Sequence, residues 1–159
     1  MKKLDNRGFT LTELIVVIAI IGIFAGVASA SINQIFSNQT RKFINDCDAM
    51  LTRCRVETLS GAPDGTCVEL RLDDSDGKYY VAYYKGNVLV EEEPLKNSSA
   101  SCTYCIADGS PVPVDDGGDS LRISYNRTTG AMNENYTEIA VGNSKITLVP
   151  ATGYHKVGG

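Results

Sequence analysis

Histidine is almost absent from this sequence: His155 is the one histidine among 159 residues. Histidine is the side chain that general acid–base catalysis uses most often. The sequence also contains no Ser-His-Asp or Cys-His arrangement, no P-loop and no dinucleotide-binding motif. These absences argue against an enzyme.

Charge is absent from a long stretch near the N-terminus. No charged side chain occurs from Leu14 to Thr40, and residues 14–28 are Leu, Ile, Val, Ala, Phe and Gly alone. Together with their apolar neighbours they exceed the roughly 20 residues that cross a hydrocarbon core of about 30 Å as a helix. The sequence therefore predicts a transmembrane helix within residues 9–32.

Basic residues flank this stretch on its N-terminal side. Lys2, Lys3 and Arg7 stand there against a single acid, Asp5. Because positive charge favours the cytoplasmic side of a membrane, we expect a cytoplasmic N-terminus, with the rest of the chain outside. An ordinary secretory signal or anchor is the alternative, since Ala28-Ser29-Ala30 could serve as a small-residue cleavage site.

Glu13 lies where the apolar stretch begins. An unpaired charge within a membrane helix costs about 2.5–3.5 kcal/mol on insertion scales. A generic membrane anchor does not need a charged residue at this position. We therefore expect the carboxylate of Glu13 to have an interaction partner.

The order of these features resembles the class III leader of type IV prepilins. That leader is short and basic, ends in glycine, and is followed by phenylalanine and then by a glutamate four residues on. The resemblance covers about the first 32 residues and is carried by Lys2-Lys3-Leu4-Asp5-Asn6-Arg7-Gly8-Phe9-Thr10-Leu11-Thr12-Glu13-Leu14 and the apolar run that follows.

The resemblance implies processing and assembly. A prepilin peptidase would cut between Gly8 and Phe9, and the new amino group of Phe9 would be methylated. The ammonium of Phe9 would pair with Glu13 of a neighbouring pilin subunit, although the i,i+4 spacing also allows a pair within one helix. The implied function is that of a structural subunit of a type IV pilus or pilus-like filament. The alternative is a minor pilin or pseudopilin of a type II secretion or competence system.

The resemblance also implies a location and a fold. The chain would lie in the cytoplasmic membrane before assembly, and in an extracellular filament or a periplasmic pseudopilus afterwards. The fold would be α+β, with a long N-terminal helix packed on a C-terminal antiparallel β-sheet head, as in pilins. The expected segments are a leader at 1–8, a membrane and filament-core helix at 9–32, an amphipathic helix at 33–61 and a head at 62–159.

Apolar residues after the membrane stretch recur at spacings of three and four, which is typical of an amphipathic helix. Proline does not occur before Pro63, so we expect one helix from Phe9 to about Leu59, ended by Gly61 and Pro63. Alternating residues between turn signals predict the strands of the head, while residues 92–120 are predicted to form a long irregular loop. The predicted strands are 67–72, 78–84, 87–91, 121–125, 138–141 and 145–149.

Five cysteines follow the membrane stretch, on the side where disulfides persist. Cys47 and Cys54 would lie about 10 Å apart along a helix, too far to bond each other. We expect disulfides between helix and head, and their pairing stays open among Cys47, Cys54, Cys67, Cys102 and Cys105. A redox pair or half of a zinc site at Cys102 and Cys105 is the alternative, although no second CxxC supports zinc.

No cofactor is expected. The acidic runs Asp73–Gly77 and Asp115–Asp119 could bind calcium, but their spacing matches no EF-hand, and solvated turns are the simpler interpretation. After removal of residues 1–8 the chain would carry 12 basic and 18 acidic residues, a net charge of −6. Nucleic acid is therefore not an expected partner, because its binding depends on basic surface.

Overall fold

The computed structural model describes residues 10–97, 99–107, 109–115 and 120–158, apart from the side chains of residues 28–33. The chain divides into two compact units, Met1–Phe36 and Ser37–Gly159. Within the described ranges there are one α-helix and nine β-strands, numbered in chain order. They are α1 (Leu11–Leu59), β1 (Cys67–Asp73), β2 (Lys78–Lys85), β3 (Val88–Pro94), β4 (Cys102–Ile106), β5 (Val112–Pro113), β6 (Leu121–Ser124), β7 (Tyr136–Val141), β8 (Ser144–Val149) and β9 (Tyr154–Gly158).

The first unit contains the apolar part of α1. Residues 14–18 are five consecutive apolar residues, and because each turns the helix by about 100°, they cover its whole circumference. Large apolar side chains between Leu11 and Val27 are 47–75% exposed in the isolated chain. Among the residues described with their side chains, no helix has the length and apolar character needed to cross a membrane.

In the second unit, α1 buries one side. The buried residues recur every three or four positions, singly or as adjacent pairs, whereas most residues between them are exposed. This is the amphipathic pattern expected of a helix that covers a core. The buried side consists of Thr40, Phe43, Ile44, Cys47, Met50, Leu51, Cys54 and Thr58.

The helix ends where the sequence predicted. Gly61 adopts a φ of 91°, its N–H donates to the carbonyl of Thr58, and the N–H of Ala62 donates to that of Glu57 at 2.9 Å. Glycine takes this left-handed conformation without the cost that a Cβ would add, and the two bonds satisfy carbonyls at the helix end. The chain then turns toward β1.

Two antiparallel sheets form the head. One has the strand order β3-β2-β1-β6, and the other has the order β5-β4-β7-β8-β9. Both contribute side chains to a single core together with α1. The α+β class and the antiparallel head are therefore confirmed, with two sheets in the head.

The prediction of an irregular connection over residues 92–120 is wrong. β4 lies in this region and pairs with β7, and β5 pairs with β4 at the sheet edge. β5 was not predicted because it contains Pro113, and proline argues against a strand. An edge strand tolerates this proline because its missing N–H faces no partner strand. β9, which follows Pro150, was not predicted either, since as an edge strand it buries little apolar surface.

Arg55 holds two turns of the head against α1. Its Nε donates to the carbonyl of Gly130 at 3.2 Å, and its Nη2 donates to the carbonyl of Thr152 at 2.9 Å. The backbones of these turns meet closely, because a Cβ added at Gly153 would lie 1.9 Å from the Gly130 oxygen. A side chain at Gly153 would therefore force the two turns apart.

We expect a fragment of residues 37–159 to fold alone as a monomeric α+β domain, because the buried side of α1 and both sheets lie within it. Circular dichroism and size-exclusion chromatography of the purified fragment measure this. A disordered, wholly helical or aggregated fragment would contradict the expectation.

In this fragment, Gly153→Ala is expected to lower the free energy of unfolding more than Gly77→Ala does. Both glycines have similar left-handed backbones, with φ of 66° and 65°, but a Cβ at Gly77 meets nothing within 4 Å. Gly77→Ala should therefore cost only the left-handed backbone penalty of about 1–2 kcal/mol. Urea unfolding compares the two variants, and equal losses would show that the contact at Gly130 is unimportant.

Candidate functional site

The N-terminus of α1 is capped by Thr10 and Glu13. The Thr10 backbone N–H donates to Oε2 of Glu13 at 2.9 Å, and the Thr10 hydroxyl donates to the same oxygen at 2.8 Å. In return, the Glu13 N–H donates to the Thr10 hydroxyl oxygen at 3.3 Å. These reciprocal bonds form a capping box, which satisfies N–H groups that have no partner inside the helix.

Thr10 is not among the site residues predicted from the sequence. Its signal is a Thr-x-x-Glu pattern directly before an apolar run, which marks a helix N-terminus. Glu13 was considered as a counter-charge alone, so its capping role was overlooked. The structure thus gives Glu13 a partner within its own helix.

The predicted cleavage and methylation site at Gly8 and Phe9 lies outside the described residues. The pair between Phe9 and Glu13 accordingly stays a prediction. Both bonds from Thr10 end on Oε2 of Glu13, and a carboxylate has a second oxygen that can accept from an ammonium. The capping box is thus compatible with an additional ion pair.

In two places the thiols of a helix cysteine and a head cysteine interact electrostatically. All five cysteines are thiols, of which Cys47, Cys54, Cys67 and Cys102 are buried. Burial raises the pKa of Cys47 well above its ordinary value, and the neighbouring thiol of Cys102 raises it further. Burial raises the pKa of Cys54 to about 12, with a further contribution from the thiol of Cys67.

The CxxC at Cys102 and Cys105 lies on β4. Cys102 and Tyr104 are buried in the core, whereas Thr103 and Cys105 are only half-buried. Residues three apart on a strand point to opposite faces and lie about 10 Å apart along it. The strand therefore separates these two thiols, contrary to a redox pair or a shared zinc site.

The first acidic run forms the turn between β1 and β2. The carboxylate of Asp73 accepts from the N–H and the hydroxyl of Ser75, and that of Asp76 accepts from Lys78 and Tyr80. Within the described ranges, no three His, Cys, Asp or Glu residues lie together in a way that could hold a metal ion. Most of the second acidic run lies outside those ranges, so calcium there stays an untested alternative.

A cleft of about 520 Å³ opens in the head beside the end of α1. Two guanidinium groups line it, and each is paired with a carboxylate: Arg122 with Glu69 at 3.3 Å, and Arg127 with Asp64 at 2.9 Å. No sequence motif indicated this cleft, because helix, strand and loop residues distant in the chain form its walls.

Comparison with known proteins identifies the N-terminal region. Residues 3–29 match the model of the prokaryotic N-terminal methylation motif. This is the class III prepilin leader of type IV pilins and pseudopilins, so the recognition made from the sequence is confirmed. The motif marks pilin-like structural proteins, and it implies processing by a prepilin peptidase and assembly with other pilin subunits. No curated protein and no solved structure matches the chain.

Proposed function

We propose that this chain is a structural subunit of a type IV pilus or pilus-like filament, processed after Gly8 and assembled through α1. One observation carries the proposal: the prepilin leader motif at residues 3–29 includes the start of α1, which is apolar on all sides between Leu14 and Val27. An apolar surface of this extent requires lipid or other protein around it. The membrane before assembly and the filament core afterwards supply the two surroundings.

Glu13 has two partners in this proposal. In the membrane, the N–H and hydroxyl of Thr10 hydrogen-bond its carboxylate and lower the cost of carrying a charge there. During assembly, the ammonium of Phe9 from a neighbouring subunit supplies the opposite charge. A buried charge that is paired is tolerated, whereas an unpaired one is costly, so the pair favours one register of subunit addition.

The head would face the exterior. The net charge of −6 expected after processing does not favour nucleic acid as its partner. The leader motif is shared by pilins and by the pseudopilins of secretion and competence systems, which are the alternative role. The amount of this chain in sheared surface filaments separates a main structural subunit from a minor one.

Processing is expected to leave Phe9 as the N-terminal residue, with a methyl group on its amine. Lys3, Arg7, Gly8 and Phe9 all lie within the matched motif. Mass spectrometry of the N-terminal peptide from membrane or filament protein measures the mature end. An N-terminus near Ala30 would instead indicate an ordinary signal peptide and overturn the proposal.

Glu13→Gln is expected to abolish filaments while leaving Gly8 cleavage and membrane insertion intact. Glutamine can still accept the capping bonds from Thr10, but it cannot neutralise an ammonium. Breaking one side of a buried pair costs about 3–5 kcal/mol, so Glu13→Ala should fail in the same way. The measurement is the yield of sheared filaments relative to mature subunit in the membrane.

Thr10→Val is the matched control for Glu13→Gln. It removes the capping hydroxyl but keeps the Glu13 carboxylate, so its filaments should persist. Normal filaments from Glu13→Gln alone would show that the cap suffices and that no ion pair is needed.

A further inference from the structure

The position of Cys47 relative to β4 follows from the contacts of α1 on either side of it. Before Cys47, Thr40 accepts a hydrogen bond from the Asn97 amide at 3.4 Å, and a Cβ at Gly142 would lie 3.5 Å from its methyl group. After Cys47, the hydroxyl of Thr52 lies 3.0 Å from Nε2 of His155. The second sheet therefore lies beneath this stretch of α1.

Cys102 belongs to the part of that sheet nearest Cys47. It is opposite Val141, the residue before Gly142, and it is fully buried. Cys47 lines a small internal cavity together with Ile139, whose partner on β4 is Tyr104. Cys102 and Tyr104 face the core from the same side of β4, so the thiols of Cys47 and Cys102 enter the same part of the core.

Cys54 is positioned over the first sheet in a comparable way. The guanidinium of the preceding Arg53 lies 4.7 Å from the centre of the Tyr83 ring, and Glu57, one turn on, pairs with Lys85 at 2.6 Å. Tyr84 alternates with these two residues along β2 and is opposite Cys67. Because neighbours on a strand point to opposite faces and opposed residues share a face, Cys67 lies on the face of the first sheet away from Cys54. Both cysteines are buried, but the register does not bring them together.

We propose that the mature protein carries a disulfide between Cys47 and Cys102, and that Cys105 keeps its free thiol. The electrostatic interaction between the thiols of Cys47 and Cys102 supports this pairing. Cys105 is excluded from the core because it lies on the opposite face of β4 from Cys102.

The bond forms by thiol–disulfide exchange. The two cysteines lose two protons and two electrons, and the disulfide of an extracytoplasmic thiol oxidoreductase is reduced to a dithiol. The proposal rests on the part of the proposed function that places the head outside the cytoplasm. It does not require filament assembly.

The bond would have a mechanical role. Cys47–Cys102 joins α1 to the five-stranded sheet. That sheet would then be held covalently to the helix through which the subunit is anchored. Mechanical tension on the head would be transmitted to α1 through a covalent bond as well as through side-chain packing.

Peptide mapping of the full chain from isolated membranes tests the pairing. Thiols are blocked with iodoacetamide before lysis, and the protein is digested without reduction. Trypsin places Cys47 in peptide 43–53, Cys54 in 54–55, Cys67 in 56–71 and both remaining cysteines in 97–122. Chymotrypsin, which cleaves after Tyr104, then separates Cys102 from Cys105.

We expect 43–53 linked to the Cys102 fragment and the alkyl group on Cys105. Cys47 without a bridge to Cys102, or a bridge through Cys105, would overturn the proposal. Cys105→Ser is the control and should keep the Cys47–Cys102 bridge, whereas Cys102→Ser should leave Cys47 without it. The same digest reports the N-terminus, so a failure of the pairing is distinguished from a failure of processing at Gly8.

Discussion

The burial of one side of α1 between residues 37 and 59 is the constraint on which the head depends. Each sheet has one face that must leave water, and both faces pack into the same core as this helix. Phe43, Ile44 and Leu51 are at most 2% exposed there. Full burial of such a side chain contributes about 1.5–3 kcal/mol, so the helix side is a large part of what makes the head stable.

The same helix must meet a different demand in its first unit. Between Leu11 and Val27 its large apolar side chains point in all directions, which suits an environment that is apolar all round. A helix satisfies both demands because its backbone hydrogen bonds are internal, so its surroundings can change without loss of backbone bonding. The difference between the two halves lies in side chains alone. It is therefore readable from the sequence.

Elements with a repeating pattern were predictable, and elements defined by their neighbours were not. β1 and β8 alternate between turn signals, β2 is a continuous apolar and aromatic run, and the end of α1 carries a glycine at the required position. β4 is a strand of only five residues. Its inward residues, Cys102 and Tyr104, can be recognised as core residues only from its pairing with β7. The edge strands β5 and β9 bury too little apolar surface to produce a hydrophobic pattern in the sequence.

The candidate site likewise has features that the sequence predicts and features that it does not. The leader motif is local in sequence, so it was recognised and confirmed at residues 3–29. The Thr10 cap is also local, and its pattern was available but overlooked. The grouping of Cys47 with Cys102 depends on strand register and on the position of α1 over the second sheet. Spacing along the chain does not encode that information.

Ion pairs along the edge of α1 show how the helix is held in one orientation on the head. Arg53 pairs with Glu91 on β3 at 2.9 Å, and Lys42 pairs with Glu93 at 3.6 Å. These side chains are 40–61% exposed, and exposed pairs contribute about 0.2–1 kcal/mol each and weaken in salt. They are too weak to hold the head in place, but their geometry is satisfied only when the buried side of α1 faces the sheets in one rotation. Burial thus supplies the strength, and the ion pairs select the alignment that brings each helix cysteine over its own sheet.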